Sequence, residues 1–296
     1  MKFKYARENT IEDRVGLGWR PELAVGILSH LDRIDVVEVI ADDLFEAPRD
    51  ERRAIRTLSA QTAVVLHGVS LGLASSVPVE AKLLEKTARL CEEIVPEYWS
   101  EHLAFVRGGG LEIGHLTAPP RTDATIEGAA ANLERARAAV GAAPLVENIA
   151  TLIDPPGSDY VEIDWINKII DAAPADLLLD LHNLHANATN FGYDAIEFMK
   201  RLPSERIVAA HLAGGKWVEA LGERRLLDDH LHDVPDPVYR LLTELATLTS
   251  RPLTVILERD GAYPPIETLL RQLDRAREAL AEGRSRQFEQ MEKEAA

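Results

Sequence analysis

The chain has 296 residues, of which 46% are hydrophobic and 28% charged, and its formal net charge is −16. This length allows one large domain or two ordinary ones, and the hydrophobic fraction suffices to bury a substantial core. The negative charge argues against binding to nucleic acid or to an anionic membrane, because both surfaces repel an acidic protein.

The chain has a single cysteine, Cys91, so it cannot form an internal disulfide. That agrees with a reducing compartment, and the amphipathic helical pattern around Cys91 predicts a buried structural thiol. The N-terminal residues lack the charged-then-apolar order of a secretory leader. No apolar run reaches the roughly 18 residues of a membrane span. We therefore expect a cytoplasmic protein that acts on neither nucleic acid nor membrane.

After about a dozen polar residues, strand-like and helix-like segments alternate to about residue 280. Apolar runs bounded by polar residues predict buried parallel strands. The predicted strands cover 14–18, 36–40, 63–67, 98–104, 145–147, 177–180, 207–211 and 253–258. The predicted helices cover 21–31, 49–59, 79–94, 125–140, 164–173, 193–201, 238–249 and 266–282.

Alternating strands and helices are typical of a parallel sheet with right-handed crossovers, and eight strands can close a (β/α)8 barrel. We therefore predict an α/β fold: a single TIM-barrel domain over 1–296, with the barrel at about 14–282 and a charged helical tail at 283–296. The alternative is a doubly wound open sheet. Its first strand should lead into a glycine-rich phosphate turn, and Val-Gly-Leu-Gly-Trp-Arg at 15–20 lacks the third glycine and the spacing. We interpret the glycines at 108–110 as a flexible connection.

Carboxylate and imidazole side chains recur where the predicted strands end. In a parallel barrel these ends meet at one face, where barrel enzymes place their active sites. A carboxylate buried there needs a cation or a hydrogen-bonding partner, because an isolated buried charge is costly. The residues at strand ends are His67, His102, Glu147, Asp180, His211 and Glu258.

A second source of ligands is the segment after the seventh strand. Asp228 and His230 lie two apart in what we interpret as a long loop, where they can bind one metal from one side. His182, Asn183 and His185 follow Asp180 and can also reach a metal. Singly, each residue has an ordinary explanation, such as a hydrogen-bonded core histidine; together they predict a polynuclear site. The nitrogen and oxygen donors favour iron, manganese or catalytic zinc.

Strand alternation sends Glu101 and His102 to opposite faces, and we expect His102 to face the barrel interior.

The same positions form short motifs whose order and spacing run through roughly residues 15–275. The motifs are His-Gly-Val-Ser at 67–70, Ser-Glu-His-Leu at 100–103, Val-Glu-Asn at 146–148, Asp-Leu-His-Asn at 180–183 with Asn187, Asn190 and Gly192, His-Leu-Ala-Gly at 211–214, Asp-Asp-His at 228–230 followed by Pro-Asp-Pro-Val-Tyr, and Leu-Glu-Arg-Asp at 257–260. This series resembles the multinuclear non-heme iron-dependent oxidases, a family long known as a domain of unknown function. It includes the oxidase of methanobactin biosynthesis.

The resemblance implies a xylose isomerase-like barrel that binds two or three irons of mixed valence, Fe2+ and Fe3+, at the strand ends. Carried over position by position, the implied ligands are His67, His102, Glu147, Asp180, His211, Asp228, His230 and Glu258.

On the same basis we expect His67, His102 and Glu147 to share one iron, with Glu147 as a bridge to a second. Asp180, His211 and Glu258 hold that second iron. Asp228 and His230, with Asn183, complete a third. Asn183 and Asp260 are the candidate catalytic residues, as groups that orient the ligands.

Members of the family oxidise cysteine or nearby residues in ribosomally made peptides, usually with a partner that binds the peptide leader. The resemblance therefore implies a cysteine-containing precursor peptide as substrate, O2 as oxidant, a leader-binding partner protein and no organic cofactor. This chain departs from the family in three places. It has Glu38-Val-Ile-Ala-Asp42-Asp43 where a Glu-Asn pair is usual, His182 where asparagine is common, and His185 where an aromatic residue is common.

Two other functions stay open. A sugar isomerase or endonuclease of the same barrel type would use divalent metals, and the net charge weighs against the nuclease. An isomerase also needs a proton-shuttling lysine or histidine, and Lys216 is the lysine nearest to a strand-end ligand in the sequence. The other alternative is a metal-binding protein without turnover.

Overall fold

The structure is a computed structural model that describes residues 12–108 and 111–295. The strands are β1 Arg14–Gly18, β2 Val36–Ile40, β3 Ala63–Gly68, β4 Trp99–His102, β5 Phe105–Gly108, β6 Leu111–Thr117, β7 Leu145–Glu147, β8 Leu177–Asp180, β9 Ile207–Leu212, β10 Gly215–Ala220, β11 Glu223–Asp228 and β12 Thr254–Leu257. The helices are α1 Ala24–Leu28, α2 Ala41–Leu44, α3 Arg49–Leu58, α4 Ala81–Ile94, α5 Asp123–Val140, α6 Glu162–Ala172, α7 Leu181–Phe191, α8 Ala195–Lys200, α9 Asp236–Leu248 and α10 Ile266–Ala295.

Eight parallel strands close into a barrel in the order β1-β12-β9-β8-β7-β4-β3-β2. Every residue of β9 and β12 is buried, as expected of strands covered on both faces. The predicted (β/α)8 barrel is confirmed. Each of its eight strands lies where an apolar run predicted one.

The described residues fall into two compact units. One is Val37–Leu178 and includes β3, β4 and β7. The other consists of residues 12–36 and 179–295 and includes β1, β9 and β12. We call them the first and the second unit. The prediction of a single domain stays a prediction.

Both units bury apolar side chains. In the first unit, α4 turns Leu84, Leu90 and Ile94 inward together with Cys91. Burial raises the pKa of the Cys91 thiol to about 12, in keeping with the predicted structural role. In the second unit, α9 packs along α10. None of the helices in 12–108 and 111–295 combines the length and apolar composition needed to cross a membrane.

Helices α2 and α7 and the hairpins β5–β6 and β10–β11 were not predicted, and two of these, α7 and β10–β11, change how candidate residues are held. Helix α7 begins directly after Asp180, which caps its N-terminus, and Gly192 ends it with φ +73°. Hairpin β5–β6 follows β4, and residue 108 ends β5, while 109–110 lie outside the described residues. The interpretation of Gly108 as part of a flexible connection is therefore wrong.

Hairpin β10–β11 replaces most of the predicted long loop after the seventh strand. Asp228 is the last residue of β11, so its placement in a loop is wrong. The hairpin escaped the sequence analysis because charged residues interrupt its apolar alternation. These are Lys216, Glu219, Glu223, Arg224 and Arg225.

Gly16 on β1 provides a test of barrel packing. A Cβ there would lie 2.0 Å from the carbonyl oxygen of Val36 and 2.4 Å from its Cγ1. We expect Gly16→Ala to lower the free energy of unfolding by about 1–3 kcal/mol, because the backbone of β2 must move. Gly108→Ala is the control, since its Cβ would meet only Phe105 Cε2 at 3.7 Å. Urea denaturation measures both, and equal stability of the two variants would contradict the packing described.

Candidate metal centre

Three donors from neighbouring strands meet in the first unit, and we call them the His67 group: His67, His102 and Glu147. Parallel pairing of β3 with β4 and of β4 with β7 sets His67 beside Ser100 and His102 beside Glu147. Glu147 Oε2 lies 3.3 Å from His67 Nε2 and 3.2 Å from His102 Nε2. All three side chains are buried. Their ligand atoms lie within 4.8 Å of one another, so they can hold a metal ion.

The hydrogen bonds of the two imidazoles indicate a cation between them and Glu147. His102 Nδ1 lies 3.1 Å from the Gly68 carbonyl oxygen, which can only accept, so Nδ1 carries the proton. His67 Nδ1 lies 2.7 Å from Ser100 Oγ, whose hydroxyl donates to Leu66 O. In the neutral tautomer each Nε2 then directs a lone pair at the carboxylate. A cation relieves that repulsion, and a metal held by histidines oriented in this way is common.

Two further carboxylates hold the backbone around His67 and His102. Glu101 accepts hydrogen bonds from the amides of His102 and Leu71, at 2.9 and 3.2 Å. Asp42 accepts one from Val69 N at 2.9 Å. Burial, reinforced by the charge of Glu101, raises the pKa of the Asp42 carboxyl. These contacts position the loop after β3, and the side chain of His102, rather than that of Glu101, contacts Glu147.

Glu38 is a candidate ligand that the sequence analysis did not include. It lies within β2, is 1% exposed, and offers an oxygen within 4.8 Å of a ring nitrogen of His67. The available signal was its place in Val-Val-Glu38-Val-Ile, because a carboxylate in the middle of an apolar strand needs a partner.

A second group lies in the second unit, and we call it the Glu258 group: Asp180, His211 and Glu258. They follow or end β8, β9 and β12, they are buried, and their ligand atoms lie within 4.8 Å of one another. Glu258 Oε2 lies 3.0 Å from His211 Nδ1. Asp180 Oδ1 also accepts a hydrogen bond from Asn183 N at 2.5 Å, so the start of α7 fixes this carboxylate.

His230 lies among three carboxylates. Its Nε2 is 3.0 Å from Asp228 Oδ2, and its Nδ1 is 3.2 Å from Asp260 Oδ2 and 3.5 Å from Glu258 Oε2. Burial by itself lowers its pKa. The charges of Asp228 and Glu258 and the hydrogen bonds to Asp228 and Asp260 outweigh burial and hold the pKa well above the ordinary value. Its backbone has φ +54°, an unusual conformation for a residue other than glycine, and such strain often occurs at functional sites.

Asp228 joins His230 to His182. Its Oδ1 lies 2.6 Å from His182 Nδ1, and His182 is fully buried. Burial by itself raises the pKa of Asp228. The charges of His230 and His182 and their hydrogen bonds outweigh burial and lower this pKa to about 2. Asp228 and His230 therefore form a separate set that meets the Glu258 group through His230 and Glu258.

The two predicted catalytic residues lie in the second unit. Asp260 contacts His230 and forms an ion pair with Arg20, a residue that the sequence analysis did not select. Asn183 is buried at the start of α7 and donates its backbone amide to Asp180. Both positions suit residues that orient neighbouring ligands, and their roles stay predictions.

Comparisons with known proteins agree with this geometry. Residues 14–281 match the model of a family described as the RiPP precursor modification enzymes MbnB/TglH/ChrH, which modify ribosomally made peptides. A UPF0276 protein of Streptomyces avermitilis is 35% identical over 278 residues, which are 92% of this chain and 56% of the relative. The chain thus spans about half of that relative's length. A UPF0276 protein of Bordetella bronchiseptica is 30% identical over 91% of this chain and 93% of its own.

Solved structures with the same fold are more distant. An L-ribulose 3-epimerase has a TM-score of 0.59 at 14% identity, covering 96% of this chain and 98% of its own. A xylose isomerase domain-containing protein from Salmonella typhimurium has a TM-score of 0.59 at 16% identity, covering 95% of this chain and 99% of its own. At these identities the likeness shows the xylose isomerase-like barrel alone.

The raised pKa of His230 predicts how metal binding depends on pH. The raised pKa favours the protonated form of His230 in the metal-free protein, so a metal that binds its nitrogen must displace a proton. Affinity for Mn2+ should therefore rise with pH. His230→Gln should release about one proton fewer on binding. Calorimetry in two buffers of different ionisation enthalpy measures this.

His185→Gln is the matched control, because burial, reinforced by His182 and Arg240, lowers the pKa of His185. The same proton release from wild type and His230→Gln would rule out His230 as a protonated competitor of the metal.

Proposed function

Since this chain belongs to the MbnB/TglH/ChrH family of RiPP precursor modification enzymes, we propose that it is a multinuclear non-heme iron oxidase that uses O2 to modify a cysteine, or an adjacent residue, of a ribosomally made peptide. The observation that supports this best is the His67 group. There the Nε2 atoms of two buried imidazoles, whose Nδ1 atoms are already engaged, face one buried carboxylate oxygen.

The donor set favours iron over a structural metal. Every candidate ligand is an imidazole or a carboxylate, and the single cysteine is buried on α4, away from the proposed ligands in the sequence. Such donors suit iron, manganese and catalytic zinc, and leave coordination positions open for substrate. Iron is the choice that the resemblance to non-heme oxidases supports, as two or three ions of mixed valence.

The proposed ligands divide as the structure groups them. His67, His102 and Glu147 would hold one iron, Asp180, His211 and Glu258 a second, and Asp228 with His230 a third. Ions held by these residues would supply Lewis acidity, which lowers the pKa of a thiol that binds them, and O2 would be the oxidant. The residues of this chain would therefore act mostly by binding the metal ions and by positioning the side chains that hold them.

The contacts of each ligand define those positioning roles. Ser100 and Gly68 fix the two imidazoles of the His67 group. Asn183 would hold Asp180, and Asp260, anchored by Arg20, would hold His230. Burial of both groups excludes water, which strengthens every charge interaction there.

The sugar isomerase alternative has less support. Epimerases share the fold, but the lysine that would move a proton, Lys216, lies on hairpin β10–β11. It is 48% exposed and forms an ion pair with Asp229 at 3.3 Å. If a lysine were the proton shuttle of an isomerase, its amine would have to point at the substrate beside the metal.

The precursor peptide would come with a separate leader-binding protein. The family's description supports a precursor peptide as substrate, and the leader-binding partner is what the resemblance to the non-heme oxidases implies. We also propose a cytoplasmic location, because the single thiol is buried and unpaired.

After anaerobic iron loading, elemental analysis should find at least two irons per chain.

Ligand substitutions should differ in severity. Glu147→Ala and Asp180→Ala should abolish activity, because each removes a buried charge that balances the cluster. His230→Ala should retain more iron, since it belongs to the more exposed third set.

Glu85→Ala serves as the control, because this carboxylate is 64% exposed on α4 and forms an ion pair with Arg89 on the same helix. Equal iron loss from Glu147→Ala, Asp180→Ala and His230→Ala would contradict the proposed layout. One tightly held zinc and no iron would contradict the oxidase.

The peptide encoded beside the gene provides the direct test of activity. Incubation with the iron-loaded protein and the leader-binding partner should change the peptide's mass in air and leave it unchanged without O2. Replacing the substrate cysteine with serine should eliminate the change, because an alcohol is deprotonated and bound by iron less readily than a thiol. Mass spectrometry reports the result, and an unchanged peptide alongside an isomerised sugar would favour the epimerase-like alternative.

A further inference from the structure

Hairpin β10–β11 is joined by the chain to candidate ligands at both ends. His211 lies on β9 shortly before the hairpin begins at Gly215, and Asp228 is its last residue, with His230 just beyond. The ring of His182 lies so near Gly215 that a Cβ there would approach its Cε1 to 2.6 Å. The base of this hairpin therefore lies beside candidate metal ligands of the second unit.

One edge of the hairpin is fastened to α7. Asn190 accepts a hydrogen bond from Leu226 N at 2.7 Å and donates one to Leu226 O at 2.9 Å. Arg225 bonds the carbonyl oxygen of Asn190 and lies over the ring of Phe191 at 5.4 Å. The outer edge of β11 is thus occupied, and the hairpin is held rigidly.

The other edge is open, as the register of the pair shows. Leu221 and Gly222 form a two-residue turn, so Ala220 and Glu223 close the ladder. Hydrogen bonding alternates along an antiparallel pair, so Trp217 and Glu219 direct their N–H and C=O groups away from β11. The contacts of Leu226 support this assignment, because Leu226 pairs with Trp217 and its backbone groups point outward to Asn190.

Within residues 12–108 and 111–295 no further strand pairs with β10, since its sheet contains only β10 and β11. Trp217 and Glu219 are both exposed. The edge thus offers two donors and two acceptors at the i, i+2 spacing that a strand presents to a neighbour.

Exposed apolar side chains flank this edge. Trp217 is 48% exposed, with the guanidinium of Arg224 4.6 Å from its ring centroid. Leu221 is 75% exposed and has φ +55°, where glycine or asparagine is usual. A leucine in that conformation at the turn displays an apolar side chain next to free backbone groups.

We infer that the outer edge of β10 is the docking strand for an extended segment of the substrate peptide, which adds to the hairpin as a third strand. An extended peptide offers the alternating donors and acceptors that this edge requires, with side chains left to contact Trp217 and Leu221. The inference rests on the proposed function, because it takes the substrate to be a peptide. The chain continuity with His211 and Asp228 favours substrate over an unrelated partner.

The test removes one edge donor without disturbing the ladder. Proline at position 219 lacks the outward N–H, and an outward-facing position on an edge strand tolerates proline. Glu219→Ala is the matched control, since it removes the same side chain and keeps the amide. Thermal unfolding and iron content should be the same for both variants and wild type.

Binding is measured with the iron-loaded protein without O2, so that no turnover occurs, using the peptide encoded beside the gene. Glu219→Pro should weaken binding about tenfold, as expected for a lost hydrogen bond and blocked strand approach, while Glu219→Ala should change it less than twofold. In wild type the peptide should slow amide hydrogen exchange at Trp217 and Glu219. In air, KM should rise in Glu219→Pro with kcat retained.

The outcomes separate the two proposals. If the peptide protects the amides of Trp217 and Glu219 from exchange but is not oxidised in air, the docking strand is supported and the oxidase proposal is contradicted. Oxidation at the wild-type KM by Glu219→Pro, or no protection at these amides, would overturn the docking strand alone. A change in oligomeric state caused by Glu219→Pro, with peptide binding unaltered, would assign the edge to a second copy of the chain and also overturn it.

Discussion

The candidate site depends on one physical constraint: carboxylate side chains are buried, away from water, at the ends of the barrel strands. Glu147, 1% exposed, directs one oxygen at two imidazole nitrogens whose opposite nitrogens are already engaged. A carboxylate in such a place needs a cation or a hydrogen-bonding partner. The same requirement applies to Asp180 and Glu258 beside His211. Metal ions can satisfy it in both places, because the ligand atoms of each group lie within 4.8 Å of one another.

Residues that are not candidate metal ligands hold the buried ligands in place. Glu101 and Asp42 hold the backbone of the loop after β3, and helix α7 begins on Asp180 and reaches the hairpin through Asn190. The strained backbone of His230 belongs to the same pattern, since its ring lies among Asp228, Glu258 and Asp260. Asp180 thus joins the ligand set of the second unit to the start of α7, and Asn190 joins α7 to the hairpin.

The barrel alone does not distinguish this protein from the sugar epimerases that share it. The distinction comes from side chains at the strand ends and from what surrounds them. Two histidines converging on Glu147, and a lysine engaged by Asp229 at the hairpin, fit a metal-based oxidation better than an isomerase that moves a proton through an amine. A hairpin with an open edge suits a peptide, because an extended peptide backbone has the alternating N–H and C=O groups that pair with a strand edge and a sugar does not.

The sequence by itself determined the barrel, because eight apolar runs that alternate with helical segments can all be buried as the parallel strands of one closed sheet. It also identified the residues that end those runs. It also indicated the family, because the motifs at the strand ends occur in the order and spacing that the resemblance requires. The tertiary structure decided what local patterns do not encode. Glu38 reaches His67 from within a strand, Asp228 ends a strand instead of lying in a loop, and His182 meets Asp228 across the base of a hairpin. These contacts join positions far apart in the chain, and charged residues hid the hairpin's alternation, so only the folded backbone could bring them together.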